Sequence, residues 1–227
     1  MKQSKTTMKE LTRRYRAVLI KCALLNLAAF SVAMPAKAED LAIKNGDNIT
    51  IDEAKAYDSI TISGGSLNAK AGLIVSSDKD ITVSGGTITP NKRGAVLQHQ
   101  GSGDIVVTGG TFNNNTDHEA NDIVHLGSGD IKISGGTFNN SVIYKPVSCG
   151  NGYGYETCYG NSTTPVAGKV EISGGVFNNA ELNSDSAEGI SISDGTFSDS
   201  SIAANNGDLT ITGGSFKDND LEGKNIA

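Results

Sequence analysis

From Gly103 to Asn114 the chain reads Gly-Asp-Ile-Val-Val-Thr-Gly-Gly-Thr-Phe-Asn-Asn, and the phrase returns twice with few changes. Gly129 opens Gly-Asp-Ile-Lys-Ile-Ser-Gly-Gly-Thr-Phe-Asn-Asn, and Gly207 opens Gly-Asp-Leu-Thr-Ile-Thr-Gly-Gly-Ser-Phe-Lys-Asp. Looser copies surround Gly64-Gly65, Gly85-Gly86, Gly174-Gly175 and Asp194-Gly195. The second glycines fall at 65, 86, 110, 136, 175, 195 and 214, so most steps are 19 to 26 residues. Self-similarity at that period marks a solenoid, in which each repeat is one coil stacked on the next.

Aligned on the second glycine, the copies form columns. Pairs such as Ile60/Ile62, Ile105/Val107, Ile131/Ile133 and Val170/Ile172 alternate with a residue of any character: Thr61, Val106, Lys132 or Glu171. Apolar residues at period two describe a strand with one buried face. A strand this short cannot bury that face alone, whereas stacked copies can.

The Gly-Gly pair is expected to be a corner. Strict alternation from Ile131 and Ile133 would turn Phe138 outward, yet a column of Leu67, Ile88, Phe112, Phe138, Phe177, Phe197 and Phe216 belongs inside. The chain must therefore change parity at the glycines, which reach the backbone angles that such a bend requires. Asn113, Asn139 and Asn178 follow the Phe column, with Asn68 after Leu67. Their amides suit a hydrogen-bonded ladder along the axis, and asparagine equally suits turns. The expected fold is an all-β, single-stranded parallel β-helix of about seven to eight rungs over 58–227, with residues 39–57 as an N-terminal cap. The polar tail after Lys217 would blunt the open edge.

The first 38 residues read as a signal peptide. Lys2, Lys5, Lys9, Arg13, Arg14 and Arg16 precede a largely apolar run from Cys22 to Met34, and Ala36-Lys37-Ala38 has the small-x-small form of a cleavage site. The run is short for a membrane span, and no later stretch approaches the roughly 20 apolar residues that one needs. The leader holds eight of the 19 lysines and arginines but only Glu10 of the 25 acids. Residues 39–227 then carry 11 bases against 24 acids, a net charge of −13. That balance argues against nucleic acid and anionic lipid as partners.

Between Gly136 and Gly175 the step is 39 residues, and the excess at 141–167 holds Tyr144, Tyr153, Tyr155 and Tyr159 together with Cys149 and Cys158. Insertions in solenoids become loops on one face, often the binding face. Tyrosines there would suit stacking on sugars or packing against a protein. A degenerate rung packed around its own tyrosines is the alternative. In an oxidising compartment the two cysteines would close a small disulfide loop, with free thiols as the alternative.

Asp80, Asp104 and Asp130 lie six residues before the second glycine in consecutive copies, with Asp208 later and Lys169 interrupting. Stacked carboxylates need relief by water, lysine or a hard cation, and Ca²⁺ would be the cofactor if one is bound. His99, His118 and His125, with Asp117, Glu119 and Asp122 nearby, offer either an acid/base cluster or a scatter of polar loop residues. The Ser/Thr column beside the glycines suggests an ice-binding array, which Lys132 and Glu171 in the neighbouring column spoil. No phosphate-binding loop, zinc motif or nucleophile elbow is present.

Over roughly Ser59 to Lys217 these repeats resemble right-handed parallel β-helix proteins of the pectate-lyase-like superfamily. Autotransporter passenger domains and carbohydrate-binding β-helices with Ile-x-Ile-Ser-Gly-Gly-Thr repeats are the nearest in kind. The resemblance implies a right-handed coil and an exported, non-catalytic, adhesin-like protein, secreted or on the surface of a Gram-negative cell. Its partner would be a glycan or a cell-surface protein. A polysaccharide lyase or hydrolase using the loops from Arg93 to Asp130 is the alternative, and a structural spacer of the envelope is a third reading.

Overall fold

The structure, a computed structural model, describes residues 39–90, 95–115, 121–146 and 167–227. All regular elements among them are strands, gathered into an 11-stranded and an 8-stranded sheet. Every strand pairs in parallel with its counterpart in the next copy, as Ile105 with Ile131 and Ile131 with Val170. The described residues form a parallel β-solenoid of eight coils, one strand of the smaller sheet for each.

A coil has three faces. In the fifth, Ile131–Ile133 forms the first face, Thr137–Asn139 the second and Val142–Lys145 the third. The first two faces belong to the larger sheet, and in several coils one strand such as Ile60–Ala69 or Val170–Asn178 runs across both. The parity change expected at the glycines is present. Ile131, Ile133 and Phe138 are all buried, while Gly136 between them has φ of 102°. Gly86 shows why no side chain fits here: at φ 86° an added Cβ would also lie 2.6 Å from the Gly64 carbonyl oxygen of the preceding coil.

Asparagine serves two purposes at the end of the second face. Asn139 Nδ2–H donates to Asn113 Oδ1 at 2.7 Å, and Asn178 Nδ2–H to Asn139 Oδ1 at 2.9 Å, which is the expected ladder. The turn role falls on the next residue. Asn140, Asn179, Asp199 and Asp218 have φ of 50–54°, a region that Asn and Asp enter at low cost.

Most of the interior is made of apolar columns. Phe112, Phe138, Phe177, Phe197 and Phe216 stack with centroids 4.6–4.8 Å apart and planes within 12° of parallel. The rings thus repeat at the strand spacing of a sheet, so one substitution opens the contacts of two neighbours.

Two expected boundaries move. Residues 39–57 are not a separate cap: Leu41–Ile43, Asn48–Ile51 and Lys55–Tyr57 pair with the second coil on all three faces and make a coil of their own. That coil carries Lys44-Asn45-Gly46-Asp47 where its neighbours carry the glycine pair, so the phrase does not reveal it. Val142–Lys145, assigned to the insertion, is a regular third-face strand in register with Glu181–Ser184. After Lys217, Asp220–Gly223 completes the eighth coil, and Ile226 bridges to Leu209 in the column of the first-face isoleucines.

Candidate functional site

Coils five and six flank the tyrosine-rich excess and stack as though it were absent. Ile131–Ile133 pairs directly with Val170 to Ile172, Phe138 with Phe177, and Val142 with Glu181. Among the described residues no further coil lies between them. Tyr144 stands in the third-face strand, half-buried, and its hydroxyl donates to Asp185 Oδ2 at 2.6 Å. Burial and the carboxylate beside it push the Tyr144 hydroxyl well above the usual tyrosine range. Tyr153, Tyr155, Tyr159, Cys149 and Cys158 lie outside the described residues, as do Arg93, Asp117, His118 and Glu119.

Asp80, Asp104 and Asp130 are brought together, one above the next. The Asp104 N–H donates to Asp80 Oδ1 at 2.8 Å, the Asp130 N–H to Asp104 Oδ1 at 2.8 Å, and the Lys169 N–H to Asp130 Oδ1 at 2.9 Å. Each carboxylate therefore fixes the next coil's entry into its first strand. Lys132 relieves the repulsion on the other side, with Nζ 2.6 Å from Asp104 Oδ2 and 3.4 Å from Asp130 Oδ2. Partial burial works to raise the Asp104 carboxyl, but hydrogen bonds from Lys132 and the Asp130 N–H outweigh it and hold the group below its usual range. Asp208, the later member, accepts from Asn225 Nδ2 at 2.7 Å. Among the described residues no group of three or more His, Cys, Asp and Glu side chains could hold a metal ion.

His99 and His125 lie inside the solenoid, fully buried and stacked on each other. Both ring nitrogens of each are engaged. His99 Nδ1 accepts the Gly101 N–H at 3.0 Å, which leaves Nε2–H to donate to the Lys79 carbonyl at 2.7 Å. His125 repeats this with Gly127 at 3.1 Å and the Gly103 carbonyl at 2.8 Å. Their chemistry is the satisfaction of loop backbone, since neither ring offers a nitrogen to a ligand.

The same column continues as Lys145 and Ser184, which the spacing of chemical motifs does not single out. Lys145 is fully buried, and its ammonium donates to the carbonyls of Gly129 at 2.6 Å and Gly127 at 3.1 Å. Burial pulls its pKa down to about 8. The available signal is alignment of the third-face strands, where this inward position reads Val75, His99, His125, Lys145, Ser184.

Asp122 is fully buried between the fourth and fifth coils. Its Oδ2 accepts from the Val142 N–H at 3.0 Å and from Asn114 Nδ2 at 3.2 Å, while Oδ1 has no partner. Burial pushes this carboxyl up to about 7. An unpaired buried carboxylate is costly, and protonation removes most of that cost.

A shallow cleft crosses the first face of coils four to seven, with Val106 at one end, Lys132 and Glu171 in the middle and Ser191 at the other. Lys132 leans to Asp104 and Glu171 pairs with Lys169, so its charges are already spent within the chain. Among the described residues no helix is long and apolar enough to cross a membrane. No protein-family model matches this chain, and the searches of curated proteins and of solved structures likewise find no match.

Proposed function

We propose that this chain is an exported, non-catalytic β-solenoid, secreted or held at the cell surface, that binds a glycan or a cell-surface protein through its tyrosine-rich segment. The observation that carries this reading is the unbroken register of coils five and six around that segment. Chain that the fold does not need, inserted between two stacked coils and rich in tyrosine and glycine, is free to serve recognition. A rigid solenoid would hold its two ends fixed, and a Cys149–Cys158 disulfide would further reduce the entropy lost on engagement. The repeats support kinship with the right-handed β-helices of the pectate-lyase-like superfamily, on the side of their carbohydrate-binding and autotransporter-passenger members. Export rests on the leader, with cleavage after Ala38.

The test is the double substitution Tyr153→Ala with Tyr155→Ala. Binding to glycan arrays or to cell surfaces should be abolished while the melting temperature is unchanged. Full binding by the folded variant would move the site away from this segment. Mass spectrometry of exported protein should show an N-terminus at Glu39 and a mass two hydrogen atoms below the dithiol form.

A further inference from the structure

The first coil turns its corner on Asn45-Gly46, where every later coil has Gly-Gly or, in the seventh, Asp194-Gly195. Lys44 and Asp47 close that turn from both ends. The Asp47 N–H donates to the Lys44 carbonyl at 3.1 Å, and the Lys44 N–H to Asp47 Oδ2 at 2.7 Å. Asn45 and Gly46 are left exposed at the tip, Gly46 at φ 90° with nothing within 4 Å of where a Cβ would stand. Among the described residues neither the Asn45 amide nor the Gly46 N–H has a hydrogen-bond partner. An asparagine before glycine is the most open to attack on its own side chain, because no Cβ obstructs the glycine nitrogen.

We propose that Asn45-Gly46 is a site of spontaneous covalent modification, at which an isoaspartyl linkage forms and loosens the first coil from the second. Base removes the Gly46 amide proton, and that nitrogen attacks Asn45 Cγ. The new C–N bond closes a five-membered succinimide as the Cγ–Nδ2 bond breaks, and Nδ2 leaves with a proton as ammonia. Water then opens the ring at either carbonyl. Opening at Asn45 Cγ gives aspartate. Opening at the backbone carbonyl gives isoaspartate, in which the main chain runs through the side chain and is one carbon longer.

The corner has no slack for that product. Asn45 Oδ1 lies so close over Gly64 that a Cβ there would overlap it. A Cβ on Gly65 would stand 2.5 Å from the Lys44 carbonyl oxygen and 2.8 Å from that of Asp47. The Asp47 carbonyl also accepts the Ser66 N–H at 2.9 Å, the bond from which Asn48–Ile51 runs in register with Ser66 to Ala69. An extra backbone carbon between Asn45 and Gly46 displaces Asp47, and that bond with it.

The comparable pairs are held. Asn206-Gly207 is the other Asn-Gly pair among the described residues. Asn206 Nδ2–H donates to the Asp185 carbonyl at 3.0 Å, and Gly207 is buried against Gly189. Asp194 offers a carboxylate, a poor electrophile when ionised, and its Oδ1 accepts the Gly195 N–H at 2.8 Å. Asn151-Gly152 lies outside the described residues.

The experiment is ageing of the folded protein at neutral and alkaline pH, followed by tryptic mass spectrometry. Trypsin cuts after Lys44 and Lys55, which puts Asn45 in a peptide separate from Asn206. The Asn45 peptide should gain one mass unit, faster at alkaline pH, and accept a methyl group from S-adenosylmethionine under protein-isoaspartate methyltransferase. Asn206 should convert about tenfold or more slowly, because its hydrogen bond must break first. In urea the two sites should convert at similar rates. Hydrogen exchange of the aged protein should show residues 41–51 losing protection while Ile60–Ala69 and the later strands keep theirs. Fresh Asn45→Asp, which adds the charge without lengthening the chain, should keep that protection. Asn45→Gln, whose ring would need six members, should stay unmodified over the same period. The proposal is overturned if the folded protein converts Asn45 no faster than Asn206, or if the aged fraction keeps full protection at 41–51. Loss of as much protection in fresh Asn45→Asp as in the isoaspartyl form would overturn it equally.

Discussion

His125 lies over His99 inside the solenoid, ring centroids 4.8 Å apart and planes 17° from parallel. A backbone N–H points at Nδ1 of each ring, from Gly101 and Gly127, so a second proton there would set N–H against N–H. The fold therefore accepts these histidines only as neutral rings. Burial, reinforced by the Lys145 ammonium, takes His125 down to about 3, and burial lowers His99 as well.

Acid should unfold the protein through this pair. The folded pKa of His125 is depressed below the unfolded value near 6.5, so the unfolded chain binds the extra proton. Its contribution is intact above about pH 6.5 and is lost progressively as pH falls toward 3, by on the order of a few kcal/mol. Melting temperature measured from pH 7 to pH 4 should fall, and His125→Gln should flatten that fall. An unchanged slope in the variant would mean that another group carries the acid sensitivity.

Asp122 should push the other way. Its folded pKa of about 7 lies above the unfolded value of 3.8, so ionisation is opposed in the fold. The stability it contributes is full below about pH 3.8 and is lost as pH rises to 7. Asp122→Asn keeps an acceptor for the Val142 N–H and the Asn114 amide without the charge. That variant should melt higher than the parent at pH 8 and show little difference at pH 4. A lower melting temperature at pH 8 would show that the carboxylate is held ionised by other groups.

What was legible from the residues was whatever repeats. The Ile columns, the inward Phe column and the parity change at the glycines all follow from period and volume, and Gly136 with Phe138 realises them. The first coil was illegible because Asn45-Gly46 turns its corner without the glycine pair, and backbone pairing, which needs no particular side chain, still completes it. The aspartate column was visible as a column, but its bonding to the next coil's N–H was not, since only the register between coils determines it. Lys145 was hidden for a related reason. A lysine in a tyrosine-bearing stretch reads as surface, and only its place above His125 turns it inward toward the carbonyls of Gly127 and Gly129.

The asparagine ladder should respond to the exchange of one amide for a carboxylate. Asn139 donates to Asn113 and accepts from Asn178, so Asn139→Asp removes the donor and sets a charge against the Asn113 oxygen. A loss of about 1–2 kcal/mol is expected at neutral pH. Part of that loss should return once the new carboxylate is protonated, which denaturation at pH 7 and pH 4 in a His125→Gln background can measure. Equal losses at the two values would remove the electrostatic part of the argument.

The Phe column should be worth most where it is enclosed. Phe138 is fully buried between Phe112 and Phe177, whereas Phe216 is only partly buried and stacks on Phe197 alone. Truncating an enclosed ring removes its transfer energy and leaves a cavity lined by two neighbours that the stacked backbone cannot close. Phe138→Ala should therefore cost ~3–5 kcal/mol. Phe216→Ala opens no enclosed cavity, because solvent reaches its outer side, and roughly 1–2 kcal/mol is expected from lost area alone. Urea denaturation of the two variants with matched m-values separates these outcomes. Equal losses would mean that the eighth coil is enclosed as deeply as the fifth, and an intact midpoint for Phe138→Ala would remove the register on which the coils are stacked.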